Sequence, residues 1–218
     1  MTVQIKICGL KSPLAINTAI DEGATHIGLV HFANSPRHVS LEMAATLREM
    51  IGDRAKAVLL LVNASVEETG HAIDTVKPDI VQFHGKETPE WTSLVRQKGQ
   101  VEVWKALGVR SAETLANSAR FEGKIDRLLF DAPAPKPAAD GTQPLPGGNG
   151  VSFRWELLKE FEHTIPWGLA GGLTPENVAE AIQLTGAELV DTSSGVETGP
   201  GIKDVDKIKA FCQAAKSA

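Results

Sequence analysis

The chain has 218 residues, 42% of them hydrophobic and 22% charged, with two cysteines and no tyrosine. That length allows one large domain or two small ones and can bury about 70% of the unfolded surface; the composition excludes disorder and collagen-like repeats, and two cysteines make neither a disulfide framework nor a four-cysteine zinc site. A formal net charge of −5 argues against a nucleic-acid binder that works by neutralising phosphates, no apolar run approaches the ~18 residues of a membrane-spanning helix, and the lack of a long apolar leader in Met1–Gly9 makes the cytoplasm the expected location.

Short apolar runs alternate with helical patterns along the whole chain. Val3–Ile7 reads as a strand, followed by a helix over Pro13–Glu22 with Ser12 as its cap. His26–Val30 is a strand, and Leu41–Met50 a helix capped by Ser40. Ala57–Val62 is a continuous apolar strand, too short for a helix, and Val66–Val76 is a helix capped by Ser65. Strands over Asp79–Phe83, Val101–Lys105 and Arg127–Asp131 alternate with helices over Pro89–Gln97, Ala112–Ala119 and Phe153–Phe161. Ile165–Leu169 is a weak strand because of Pro166. A helix over Pro175–Leu184, a strand over Ala187–Val190 and a closing helix over Asp204–Lys216 complete the series.

Strict βα alternation predicts a parallel sheet with right-handed crossovers. The strands are apolar throughout, as expected when both faces are covered. At about 27 residues per unit, each repeat holds one strand, one helix and two short loops. Eight such units predict an α/β protein, a single (β/α)8 TIM barrel spanning residues 1–218. A dinucleotide-binding open sheet would need a glycine fingerprint after its first strand, and Cys8-Gly9-Leu10-Lys11 supplies none. The Pro-, Ala- and Gly-rich stretch Ala132–Gly150 is either an inert insertion or a mobile active-site loop; its place after a strand's C-terminal end favours the second.

In such a barrel the active site lies at the C-terminal ends of the strands. Gly171-Gly172 and Ser194-Gly195 follow strands seven and eight, where glycine lets backbone N–H groups approach a phosphate. Cys8 ends strand one; it is either a small buried hydrophobe or, with positive charge nearby, a thiolate base. Lys6 points to the same side of that strand. Asp131 ends strand six, as a structural acceptor or as an acid whose pKa is raised by exclusion of water. Arg37, in the second βα loop, is either a solvated surface residue or a fork for a carboxylate. His84 is a site donor or a satisfied loop histidine. The other histidines lack metal-ligand spacing, and Cys212 shares a helical face with Ile208 and Phe211, which predicts a core position.

These motifs together resemble the phosphoribosylanthranilate isomerases of tryptophan biosynthesis. The matching segments are Lys6-Ile7-Cys8-Gly9-Leu10, Ser35-Pro36-Arg37, Val81-Gln82-Phe83-His84-Gly85, Asp131, Gly147-Gly148-Asn149-Gly150, Ala170-Gly171-Gly172-Leu173, Ser193-Ser194-Gly195-Val196-Glu197 and Pro200-Gly201-Ile202-Lys203-Asp204. The resemblance implies a (β/α)8 barrel that needs no cofactor and no metal, acts on a small phosphorylated substrate, and is a monomer or a homodimer with no nucleic-acid or membrane partner. It further implies an Amadori rearrangement with Cys8 as base and Asp131 as acid. Arg37 would hold the anthranilate carboxylate, and the loops at Gly171-Gly172 and Ser194-Gly195 the phosphate. Ribulose-phosphate epimerases and the histidine-pathway isomerase are less similar: the first usually carries metal-binding His and Asp groups, the second paired aspartates and a half-chain repeat.

Overall fold

The computed structural model describes residues 3–133, 147–148, 150 and 153–218. Most of the stretch expected to form a long loop over 132–150 therefore lies outside the described residues, as does Asn149. The strands are β1 (Gln4–Cys8), β2 (His26–Val30), β3 (Lys56–Leu61), β4 (Ile80–Phe83), β5 (Glu102–Gly108), β6 (Arg127–Asp131), β7 (Trp167–Leu169) and β8 (Leu189–Thr192). They form a closed parallel barrel in sequence order, sealed where β1 pairs with β8. The helices α1 (Pro13–Asp21), α2 (Leu41–Ile51), α3 (Val66–Val76), α4 (Pro89–Lys98), α5 (Ala112–Ala116), α6 (Glu156–Lys159), α7 (Val178–Thr185) and α8 (Val205–Lys216) follow the strands one by one.

The helix starts follow the sequence chemistry. Ser12, Ser40 and Ser65 each accept a hydrogen bond from the first turn of α1, α2 and α3, and Glu68 completes a capping box with Ser65. Each such cap contributes about 1 kcal/mol. Three helices are shorter than predicted, for local reasons. The Asn177 side chain accepts from Thr174 N and donates to the Gly172 carbonyl, so the chain turns before α7 begins at Val178. Ser118 donates to the Leu115 carbonyl at 2.6 Å, and α5 tightens into a 3-10 turn over Asn117–Phe121. The His163 imidazole donates from Nε2 to the Leu158 carbonyl at the end of α6, which occupies only Glu156–Lys159. Strand β8 lies further along than Ala187–Val190, and this shift brings Asp191 opposite Lys6 in the seam.

Beyond β8, a 3-10 turn over Ser194–Val196 leads into an antiparallel ribbon of β9 (Glu197–Gly199) and β10 (Ile202–Lys203). The main core lies between barrel and helices and includes Cys212, as expected; burial pushes that thiol up to about 11. Inside the ring, Val58, Ile80, Trp104, Ala106, Leu129 and Leu189 form a buried plug. Gly168 explains why β7 tolerates so little side chain: a Cβ there would collide with Leu189 and stand 2.9 Å from the Leu129 side chain. Among the described residues no helix is long and apolar enough to cross a membrane.

His26 closes the inner end of this plug, its ring 5.1 Å from that of Trp104 and its Nδ1 2.8 Å from Thr25 Oγ1. Burial first, then the charges of Lys6 and Arg127, lower its pKa to about 3. The folded state holds this imidazole neutral, while the unfolded chain takes up a proton below its ordinary value of about 6.5. Stability is therefore lost as pH falls from about 6.5 towards the folded pKa. Melting temperature measured across this range should fall less steeply in His26→Gln than in the parent; parallel curves would show that His26 is not responsible.

Candidate active site

The C-terminal ends of the strands surround a cavity that opens to solvent. Cys8, Arg37, His84 and Asp131 line it, as do Gly171, Gly172 and Ser194. Residues from β1, β4 and β6 and from the loops after β2, β7 and β8 thus converge on one space. Gly195 does not share the wall; it lies close against the Leu173 carbonyl, where a side chain would collide.

Cys8 is buried beside Val30 and Leu60. Its neighbour across the strand pair is Gly28, where a Cβ would stand 2.8 Å from the Cys8 Sγ and 2.9 Å from its Cα. Glycine at this position creates the space that the thiol occupies. Burial pushes the Cys8 thiol above its usual range, while the Lys6 ammonium pulls the other way. Lys6 is fully buried, one pleat below, and donates to Asp191 Oδ2 at 2.9 Å. Burial alone would lower the Lys6 pKa, but the Asp191 carboxylate, reinforced by Cys8 when it is a thiolate, holds it above the ordinary value.

Asp131 is buried across the cavity from Cys8. Its Oδ1 accepts from the Ala132 N–H at 2.7 Å, and its Oδ2 lies 3.2 Å from His84 Nε2. Gly147 sits directly against both side chains. The loop carrying His84 is fixed from behind by Glu87, which accepts from Asn63 N at 2.7 Å and Gly85 N at 2.8 Å. Lys105, buried with it, lies 3.2 Å from Glu87 and donates to the Gly85 and Ala106 carbonyls, each at 2.9 Å.

Arg37 is buried, not a solvated surface residue. Its Nε and Nη2 both donate to Glu197 at 2.8 Å, and Nη2 also reaches the Gly148 carbonyl at 3.2 Å. Glu197 accepts in addition from Lys203 Nζ at 2.8 Å and Gly201 N at 3.2 Å. Lys203 continues the network to the Ser193 carbonyl at 2.7 Å. Burial would raise the Glu197 pKa, but Arg37 and Lys203 overcome it and hold the carboxyl below its usual range. Among the described residues no group of three or more His, Cys, Asp or Glu side chains is placed to hold a metal ion.

The model of the family described as N-(5'-phosphoribosyl)anthranilate (PRA) isomerase matches residues 5–214. The chain belongs to the phosphoribosylanthranilate isomerase family. It is thereby an enzyme, an isomerase of tryptophan biosynthesis. A relative from Erythrobacter litoralis bearing the name N-(5'-phosphoribosyl)anthranilate isomerase is 63% identical over 214 residues, covering 98% of this chain and 99% of its own. One of the same name from Brucella canis is 46% identical over 218 residues, covering 100% and 96%. The crystal structure of the isomerase from Thermotoga maritima superimposes with a TM-score of 0.87 at 29% identity, covering 99% of this chain and 100% of that one. A crystal structure of such an isomerase in complex with reduced 1-(o-carboxyphenylamino)-1-deoxyribulose 5-phosphate superimposes with a TM-score of 0.82 at 29% identity and the same coverage.

Seven of the eight residues singled out from the sequence thus line one cavity in this isomerase-family barrel, with Gly195 just behind its wall. What sequence reading assigned no role are the acids that organise the cations: Asp191 for Lys6, Glu197 for Arg37 and Lys203, and Glu87 for Lys105. Glu197 stands in a motif that was recognised, but nothing in its spacing pairs it with a residue 160 positions away. The depressed Glu197 pKa has a consequence for stability. Its contribution is complete above the unfolded value of about 4.3 and is lost as pH falls through the lower folded value. Glu197→Gln should lower the melting temperature at neutral pH and narrow the gap to the parent as pH drops below about 4; a gap that stays constant with pH would contradict the assignment.

Proposed function

We propose that this chain converts N-(5-phosphoribosyl)anthranilate to 1-(2-carboxyphenylamino)-1-deoxyribulose 5-phosphate, with Asp131 as general acid and Cys8 as general base. The observation that carries this reading is the placement of Cys8 and Asp131 on well-separated strands facing one cavity. Such a pair can deliver a proton to one atom of a bound sugar and remove one from another.

Asp131 donates a proton to the furanose ring oxygen. The C1–O bond breaks, the nitrogen lone pair forms the C1=N bond, and the ring opens to a Schiff base. The Cys8 thiolate then removes the C2 proton. The C2–H electron pair becomes a C1=C2 double bond and the C1=N pair returns to nitrogen, which gives the enolamine. Loss of the hydroxyl proton at C2 and gain of one at C1 complete the ketone. His84, at 3.2 Å from Asp131, fixes the acid's orientation and supports proton return to it.

The substrate carries two anionic groups. Arg37, held in one orientation by Glu197, is the cation for the anthranilate carboxylate. The loops of Gly171-Gly172 and Ser194-Gly195 are the phosphate end, where backbone N–H groups can approach closely. Pre-set hydrogen-bond partners need no rearrangement when charge develops, and this is the main source of catalytic power in such sites.

A fluorescence assay with freshly prepared phosphoribosylanthranilate tests the reading. Purified protein should accelerate substrate loss. Cys8→Ala and Asp131→Asn should each remove about 10²–10⁴-fold of the rate, the usual contribution of a positioned acid or base, without loss of fold. Arg37→Ala should mainly raise KM. No enzyme-dependent rate from the parent protein would sink the proposal. Because burial raises the Cys8 pKa, the thiolate is a minor form at neutral pH, so kcat/KM should climb as pH increases above neutrality. A profile flat from pH 7 to the alkaline limit of the fold would argue against a thiolate base.

A further inference from the structure

Strand β5 supplies none of the described residues that line the cavity, yet it carries a buried lysine that reaches towards the site from behind. The side chains of Lys105 and Glu87 are each 2% exposed and lie 3.2 Å apart. Lys105 Nζ also donates to the Gly85 and Ala106 carbonyls, each at 2.9 Å, so its three protons have three acceptors. Glu87 accepts from Gly85 N through one oxygen and from Asn63 N through the other. The Asn63 side chain accepts from Lys86 N at 2.7 Å.

Three successive backbone groups, Gly85 N, Gly85 O and Lys86 N, are therefore each held by a side chain. On the other side of the same loop, His84 N donates to the Leu61 carbonyl at 3.0 Å. The backbone is thus fixed before and after the Cα of His84. The space is tight as well: a Cβ at Gly85 would collide with Asn63 Oδ1 and stand 2.8 Å from Glu87 Oε1. From this fixed backbone the His84 ring extends to Asp131, with Nε2 3.2 Å from Oδ2. A buried ion pair adds little net stability over apolar side chains of like volume. Apolar side chains, however, cannot hold an N–H and a carbonyl of a loop at set points.

We propose that Lys105, with Glu87 and Asn63, forms a clamp of positioning residues for the general acid: the clamp fixes the Gly85 backbone, and that backbone aims His84 at Asp131. This rests on Asp131 as the acid, as given above, and extends the machinery to three residues outside the cavity wall. Because none of them lines the cavity, their loss should act on the chemical step and spare substrate binding.

A double-mutant cycle with His84 tests this. Turnover of phosphoribosylanthranilate is measured for the parent, Lys105→Met, His84→Ala and the double variant, with melting temperatures in parallel. Lys105→Met should lower kcat about 10–100-fold, as a catalytic group displaced by up to about 1 Å does. Its KM should stay within about twofold of the parent's. In the His84→Ala background the same substitution should change kcat by less than about twofold, because the side chain it aims is gone. Asn63→Gly is a gentler second variant. Glycine adopts the left-handed backbone of Asn63 (φ 52°) without strain, and the acceptor for Lys86 N–H is lost. It should lower kcat about two- to fivefold in the parent and leave it unchanged in His84→Ala. Where Lys105→Met does not fold, the Asn63→Gly cycle decides by the same criterion. Equal losses of kcat in both backgrounds mark a purely structural role and overturn the proposal, as does an unchanged kcat in Lys105→Met. No turnover by the parent defeats the reaction reading itself, whereas normal turnover with equal losses in both backgrounds defeats only the clamp.

Discussion

The ring closes between its first and last strands, and the Lys6–Asp191 ion pair is buried in that seam. Burying two charges is expensive, and apolar side chains of like volume would hold the seam at least as well. What the pair adds is charge at a chosen height in the barrel. The ammonium sits one pleat beneath the Cys8 thiol and opposes the effect of burial on it. A buried lysine without Asp191 would tend to lose its proton, and the thiol would then keep only Lys203 to favour its anion against burial. The chemistry proposed at the mouth of the barrel thus depends on an interaction one layer further in.

The same arrangement recurs around the rim. Arg37 and Lys203 share Glu197, and Lys105 pairs with Glu87. Lys6, Arg37, Lys105 and Lys203 each have a carboxylate partner before any ligand arrives. On the proposed reading, an anionic substrate meets oriented groups and backbone N–H donors, which asks for no surplus of positive charge over the chain as a whole. Glu197 ties the loop after β2 to the ribbon after β8, and Glu87 ties the loop after β4 to β5 through Lys105. These carboxylates hold loops that approach the site from separate strands.

The barrel was legible in the sequence because its signals are local. Apolar runs of strand length, serine caps and the count of units all lie within short windows, and β2, β6 and α3 have the ends expected from them. Helix ends were lost where a side chain bonds back to a carbonyl or folds over a turn, as with Ser118, His163 and Asn177. The site was legible where residue type and strand end coincide, as for Cys8, Asp131 and Arg37. It was not legible where meaning depends on pairing across the ring. Asp191 was visible at the end of β8, but its bond to Lys6 spans 185 residues of sequence. Gln82 stood in a recognised motif, and only burial shows that its amide lacks a partner.

Gly28 has no side chain, yet the position of Cys8 depends on it. The room for the sulfur is supplied by the neighbouring strand, not by the strand that carries the thiol. The first strand–helix unit therefore does not contain its own reactive geometry. If such units were exchanged between barrels, by recombination or by design, the cysteine would travel with the first unit and its space would stay behind with the second. The smallest segment that carries the thiol together with its space spans both units, from β1 through β2, and even that leaves Asp191, the partner of Lys6, behind in β8.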